Sequence, residues 1–367
     1  MKIVFQREDF FNILHALSGV VSQNPTMPIL SNFLLKALED ELVLEATDLN
    51  MSLSIRMPAE VIICGEIVLP VKMIQEIIRE LPEDKINLEV KEGDKVEITC
   101  QKAIFHLTGL SKDDFPVFPS LEEEVSITLP TLILKDMIKK TIFCAATDEM
   151  RTILNGADLK ILNNKIIMVA TDGNRLAFIE KEIEGTGVEK EVVIPTKTLN
   201  ELVKIINEDK IDLKIGKNRV SFSTTSSILS SRLLEGDFPD FTKVIPKGET
   251  KDIKVETIEF INSVRRVATM TLEKSNTLKF TVKPDKLKIE VATPTVGEAE
   301  EEINVSYQDE EMEMGFNYKY LLEVLRRIKT EETLIFLTSP NIPALFKPTE
   351  ENQDYFFLLG PTKLADS

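Results

Sequence analysis

The residue types that do covalent chemistry are sparse in this sequence. Histidine, the side chain best suited to move protons near neutral pH, occurs twice, at His15 and His106. The first falls in a helical pattern and the second in an alternating strand. Neither has a partner at metal-ligand spacing, so packing is the expectation for both. Three cysteines, Cys64, Cys100 and Cys144, stand far apart and odd in number. They form no metal or disulfide framework and read as small apolar fillers in a reducing cytoplasm. No G-x-S-x-G elbow occurs. Gly216-Lys217 lacks the phosphate-loop glycine five residues upstream, where Ile211 stands, and Gly185-Thr186-Gly187 runs into the charged Val188-Glu189-Lys190. Sixty-one acidic residues could always pair two carboxylates. The one that draws notice, Asp172 in Thr171-Asp172-Gly173, has a counterpart at Asp48, which favours a structural turn. No cofactor or metal is implied.

What remains is electrostatic chemistry. The chain carries a net charge of −17, which by itself argues against a nucleic-acid partner. The charge is unevenly placed. Six segments have helical periodicity: 7–19, 71–80, 130–143, 196–206, 256–270 and 316–329. Together they sum to +5, leaving −22 for everything outside them. Lys135 and Lys139 share a helix face, with Lys140 beside them, and Lys319, Glu323, Arg326 and Arg327 lie close on another. Any one of these lysines could simply decorate a solvated face. The asymmetry over six helices fits a positive surface that meets phosphates without reading bases, and a negative surface elsewhere.

The elements recur. Ala46-Thr47-Asp48-Leu49-Asn50-Met51 is echoed by Ala170-Thr171-Asp172-Gly173-Asn174-Arg175 and, more faintly, by Ala292-Thr293-Pro294-Thr295. Lys72, Lys197 and Lys319 each follow the opening of a helical segment, and Asp114-Phe115-Pro116 returns as Asp237-Phe238-Pro239. All these intervals lie between 122 and 125 residues, so three copies fill the 367-residue chain. Within each copy, helices alternate with short period-two strands such as Lys85–Val90 and Arg219–Ser223. Turns at Glu92-Gly93-Asp94, Gly216-Lys217-Asn218 and Lys283-Pro284-Asp285 favour hairpins. The expectation is α+β: three repeated domains, 1–121, 122–247 and 248–367, each with two helices packed on antiparallel sheets. No apolar run reaches the eighteen residues a membrane helix needs, and the N-terminus lacks a signal-peptide core.

Five segments, in order along the chain, carry a resemblance. They are Asn24-Pro25-Thr26-Met27-Pro28-Ile29-Leu30-Ser31-Asn32, Ala170–Ala177, Gly236-Asp237-Phe238-Pro239-Asp240-Phe241, Met312–Asn317 and the terminal Pro361-Thr362-Lys363-Leu364. On these the chain resembles, over essentially its whole length, the beta subunit of bacterial DNA polymerase III, the replicative sliding clamp. The resemblance implies two chains joined head to tail into a dimeric ring, with twelve helices lining the hole. Such a ring encircles double-stranded DNA without sequence specificity. It holds the polymerase's catalytic subunit on DNA, is opened by a separate clamp loader, and serves other polymerases and repair proteins. The protein would be cytoplasmic, nucleoid-associated, and without catalysis of its own.

By the same resemblance, Lys72, Arg79, Lys197, Asn317 and Tyr320 match DNA contacts, to which the helix-face lysines Lys135 and Lys139 are added. Phe105 and Leu107 of the first domain would meet Thr269 and Met270 of the third across the subunit boundary, although their alternation equally suits a strand packed on its own core. A pocket for a short hydrophobic peptide motif would use Arg151, Leu154, Thr171, Gly173, Arg175, Leu176, Pro239, Val244, Pro361 and Leu364. Leu154, Leu176, Pro239 and Val244 can form an apolar groove. Arg151 and Arg175 can pair with partner carboxylates or carbonyls. The chain departs from the family's pattern at Asn24, Thr152, Ile153, Asn174 and Gly360. Two other classes compete: a hydrolase with an unrecognised carboxylate pair, and a repeat scaffold that binds only proteins.

Overall fold

The computed structural model describes residues 1–22, 27–148, 150–272, 276–293, 297–350 and 354–364. Asn24, the start of the first motif, and the third echo at Pro294-Thr295 lie outside them. Among the described residues six α-helices form where the periodicity places them: α1 Arg7–Val20, α2 Val71–Glu80, α3 Thr131–Thr141, α4 Thr196–Ile205, α5 Thr257–Ala268 and α6 Tyr318–Leu325. Each buries one stripe. In α1 this is Phe10, Leu14, Leu17 and Val20, and in α3 it is Leu134, Met137, Ile138 and Thr141. The last helix is shorter than its pattern. Arg326 is already its cap residue, so Arg326 and Arg327 extend beyond the final turn rather than along it. Among the described residues no helix is long and apolar enough to cross a membrane.

Two compact units divide the chain: residues 1–135 with 194–234, and residues 136–193 with 235–367. The middle copy of the repeat therefore contributes to both. In the first unit a five-stranded sheet runs Glu60–Ile63, Lys2–Gln6, Lys85–Lys91, Lys95–Cys100, Ala103–Thr108. Beside it in sequence, an eight-stranded antiparallel sheet joins the first copy to half of the second, where Ser227–Arg232 pairs with Met51–Pro58. The second unit repeats the arrangement. Arg175–Glu182 pairs with Tyr355–Leu359 inside another eight-stranded sheet, and a four-stranded sheet runs Gly297–Asn304, Lys286–Thr293, Thr277–Lys283, Met312–Asn317. The predicted hairpin turns sit between neighbouring strands. At the first, Gly93 and Asp94 both take positive φ, +72° and +56°.

Several minor expectations are corrected. Cys100 and Cys144 are buried, but Cys64 is exposed and is no filler. Burial raises the thiol pKa of Cys144 well above the ordinary cysteine range. Neither histidine is a packing residue: His15 and His106 are both exposed. The nearest acid to His106 is Glu97, at 3.6 Å. Among the described residues no cluster of three or more metal-ligating side chains forms.

Candidate partner-binding cleft and nucleic-acid interface

The cleft begins with one turn. Thr171 ends a strand and Arg175 starts the next, and two side chains fix the residues between them. Thr171 Oγ1 donates to the Arg175 carbonyl at 2.6 Å and accepts from the Gly173 amide at 3.1 Å. Asp172 Oδ1 accepts from the amides of Asn174 and Arg175, at 2.8 and 3.0 Å. Gly173 takes φ +86°, a conformation that disfavours any side chain. The first copy builds the same turn: Asp48 Oδ1 accepts from Asn50 and Met51, at 3.0 and 2.7 Å, and Leu49 stands at φ +73°. Asp172 and Asp48 are therefore structural, as their repetition predicts.

Around the second-copy turn, within one compact unit, lies an open cleft of about 190 Å³. Its lining includes Leu154, Thr171, Gly173, Arg175, Leu176, Pro239 and Val244 of the predicted set. Leu154 and Leu176 are buried, and Val244 is 48% exposed at the rim. The floor continues into an apolar cluster of Ile167, Val169, Leu345 and Leu358, with Phe178, Phe238 and Phe241 packed on it. The sequence reading missed Asp240, Phe241, Pro343 and Leu358 as lining residues. Phe241 was within reach as the end of a quoted motif. So was Leu358, which shares a period-two face with Phe356. Pro343 gave no signal.

The remaining predicted pocket residues are placed differently. Pro361 and Leu364 do not line this cleft. The C-terminal segment lies along Gly315, whose amide plane is bridged to Thr362, and a Cβ at Gly315 would sit 3.0 Å from Leu364 Cδ2. Gly360 does line the cleft, and its lack of a side chain is required there, because a Cβ would approach the Asn174 carbonyl oxygen to 2.8 Å. Both arginines are already engaged internally. Arg151 donates through Nη1 to the Asp172 carbonyl at 2.6 Å and pairs with Asp148 at 2.7 Å, which holds the Asp148 carboxyl below its ordinary range. Arg175 is 9% exposed at its side chain. It pairs with Asp172 at 3.1 Å and with Glu323, and its guanidinium lies 4.2 Å from the Tyr320 ring centroid.

One buried acid lies behind the cleft. Asp158 sits opposite Val169 in its strand pair, hence on the face that carries the apolar cluster. It is fully buried, neither carboxylate oxygen has a hydrogen-bond partner, and Lys160 Nζ is 3.6 Å away. Burial, reinforced by the charge of Glu191 and opposed by Lys160, pushes its pKa up to about 7.

The predicted DNA contacts are spread over several helices. Lys72, Lys139 and Lys197 are exposed, Lys135 is half-buried, and Arg79 is exposed beside Glu80 at 3.1 Å. Lys197 reaches Asp48 Oδ2 at 2.6 Å. Asn317 caps α6 by accepting from the Lys319 amide at 3.0 Å. Lys140 turns inward, paired with Asp136 at 3.0 Å and 4.0 Å from the Tyr355 ring centroid. Of the proposed dimer contacts, Phe105 and Leu107 are half-buried on Ala103–Thr108, the outermost strand of its sheet, with Ile104 61% exposed on the opposite face. Thr269 is the exposed cap of α5, and the Met270 carbonyl accepts from Thr293 Oγ1 at 2.8 Å.

Comparison with known proteins gives this arrangement a class. Models of the DNA polymerase III beta subunit match the chain in series: the N-terminal domain over residues 1–119, the central domain over 128–240 and the C-terminal domain over 242–359. The beta sliding clamp of Proteus mirabilis is 35% identical over 92% of this chain and 93% of its own length. That of Caulobacter vibrioides is 34% identical over 94% and 95%. Among solved structures, the DNA polymerase sliding clamp from Bacillus subtilis superposes with a TM-score of 0.94 at 29% identity, covering 100% of both chains. A sliding clamp from Bartonella birtlesii, crystallised bound to griselimycin, gives 0.95 at 31% identity over 99% of this chain and 100% of that one. The class is thus a replication processivity clamp built from three α+β domains. The chain belongs to the DNA polymerase III beta subunit family.

Proposed function

We propose that two copies of this chain close head to tail into a ring that encircles duplex DNA. The ring slides without sequence preference and tethers the replicative polymerase's catalytic subunit, with no catalytic site of its own. The three domains are 1–121, 122–247 and 248–367, and the protein works in the cytoplasm at the nucleoid. Phe105 and Leu107 pack against Thr269 and Met270 of the other copy. A contact between two different surfaces that closes after two subunits makes a ring. Lys72, Arg79, Lys135, Lys139, Lys197 and Asn317 face the duplex, whereas Tyr320, matched to the same role, lies under the Arg175 guanidinium. Weak phosphate contacts of this kind hold DNA without stopping it.

The observation that carries the reading is the apolar cleft around Leu154, Leu176, Pro239 and Val244. It is shaped for one short hydrophobic segment, and the equivalent turn in the first copy has Leu49 in place of Gly173. The polymerase, the clamp loader and other polymerases and repair proteins would dock there in turn. Tethering raises a bound enzyme's effective concentration at the primer end without any new contact to it.

Retention on DNA tests this. Protein loaded by a clamp loader onto nicked circular DNA should survive a high-salt wash and be lost once the circle is cut. Equal loss from circular and linear DNA would mean ordinary electrostatic binding, and the ring would be discarded in favour of a protein scaffold or an enzyme.

A further inference from the structure

Glu323 lies on α6 and does not line the cleft, yet its carboxylate holds the guanidinium of Arg175, which does. The chain of contacts is continuous. Arg175 Nη1 donates to Glu323 Oε2, and Arg175 Nε donates to Asp172 Oδ2 at 3.1 Å. The Asp172 carbonyl accepts from Arg151 Nη1 at 2.6 Å, and Arg151 is held in turn by Asp148. Tyr320, one turn before Glu323 on α6, lies under the Arg175 guanidinium, and Phe143 lies 5.6 Å from it on another side. A long side chain with these four neighbours keeps little rotamer freedom. Removing the Glu323 charge releases one of its two carboxylate anchors while leaving the guanidinium desolvated. Asp172 must then balance Arg175 alone, and the same carboxylate sets the Asn174 and Arg175 amides through its other oxygen.

We infer that Glu323 is a positioning residue for the partner cleft: through Arg175 it fixes the wall formed by residues 173–176, so α6 sets the affinity of a site it does not touch. The inference rests on the reading of the cleft as a peptide site. Because Asn317, proposed to face DNA, caps α6, the surface proposed to face DNA and the surface proposed to hold partners meet at one helix. Tyr320 is committed to Arg175 rather than free for phosphate.

The test is fluorescence anisotropy on the full-length protein, with a fluorescein-labelled pentapeptide ending in Leu-Phe as probe and griselimycin as a competitor. Glu323→Gln should weaken the probe about tenfold, the loss of one charge-assisted hydrogen bond. Glu323→Asp, which keeps the charge, should recover most of that loss. On an Arg175→Met background, Glu323→Gln should add nothing, because the residue it acts through is gone. Wild-type affinity in Glu323→Gln overturns the inference, as does an equal loss on the Arg175→Met background. A wild-type protein that binds neither probe nor competitor overturns the cleft reading itself, and the positioning role falls with it. Matched thermal melts of the variants exclude loss of fold as the cause.

Discussion

Leu49 and Gly173 occupy the same place in two copies of one turn, with φ of +73° and +86°. The left-handed region costs an ordinary residue about 1–2 kcal/mol. The first copy carries that strain, and the second, at the proposed partner cleft, does not. Opposite outcomes follow for exchanges at the two positions. Gly173→Ala should lower stability by about 1–2 kcal/mol in thermal melts, with its Cβ 3.1 Å from Arg151 Nη1. Leu49→Gly should leave stability within about 0.5 kcal/mol, since relief of strain offsets the extra freedom of the unfolded chain. A large loss in Leu49→Gly would mean that the leucine side chain, 41% exposed, packs more strongly than its surroundings indicate.

Asp158 shows how a strand's setting decides the behaviour of one acid. Its carboxyl titrates near 7 in the fold against an ordinary 3.8. Between those values the native protein holds a proton that the unfolded chain has released, so stability falls as pH rises through the window and stays reduced above it. Asp158→Asn should therefore match wild type near pH 4 and exceed it at pH 8, by on the order of a few kcal/mol at most. Chemical unfolding at the two pH values measures the difference. An equal stability gap at both would show that the carboxylate is solvated. Such a buried acid was not legible in the sequence. Asp158 lies in Gly156–Leu162 among residues that alternate poorly, because both faces of that strand are covered. Helices were legible for the converse reason: Leu134, Met137, Ile138 and Thr141 repeat with the helical period and are all buried. The cleft was half legible. Its turn announces itself through Thr171-Asp172-Gly173, while the internal engagement of Arg175 depends in part on Glu323, distant in sequence and on a different element.

At the scale of the assembly, the outermost strand Ala103–Thr108 leaves one edge unpaired among the described residues. An exposed strand edge invites a second chain unless it is blocked. Phe105 and Leu107 are half-covered and Ile104 is largely open, a poor arrangement for an edge meant to stay in water. Phe105→Asp together with Leu107→Asp should convert the dimer to monomers in sedimentation experiments and abolish retention on circular DNA. Affinity for the cleft probe should stay unchanged. A double variant that still sediments as a dimer would move the subunit boundary elsewhere.

The pairing of Leu176 with Leu358 bears on how the protein is made. A ribosome releases residues in order, and the strand that begins at Arg175 waits for nearly 180 more before its neighbour Tyr355–Leu359 emerges. The first unit can close once Leu234 is out. The cleft, which needs Leu358 for its floor, forms only after Tyr355–Leu359 has emerged. Chains truncated before Leu358 would therefore lack the floor of the cleft, and any partner that docks there would pass them over.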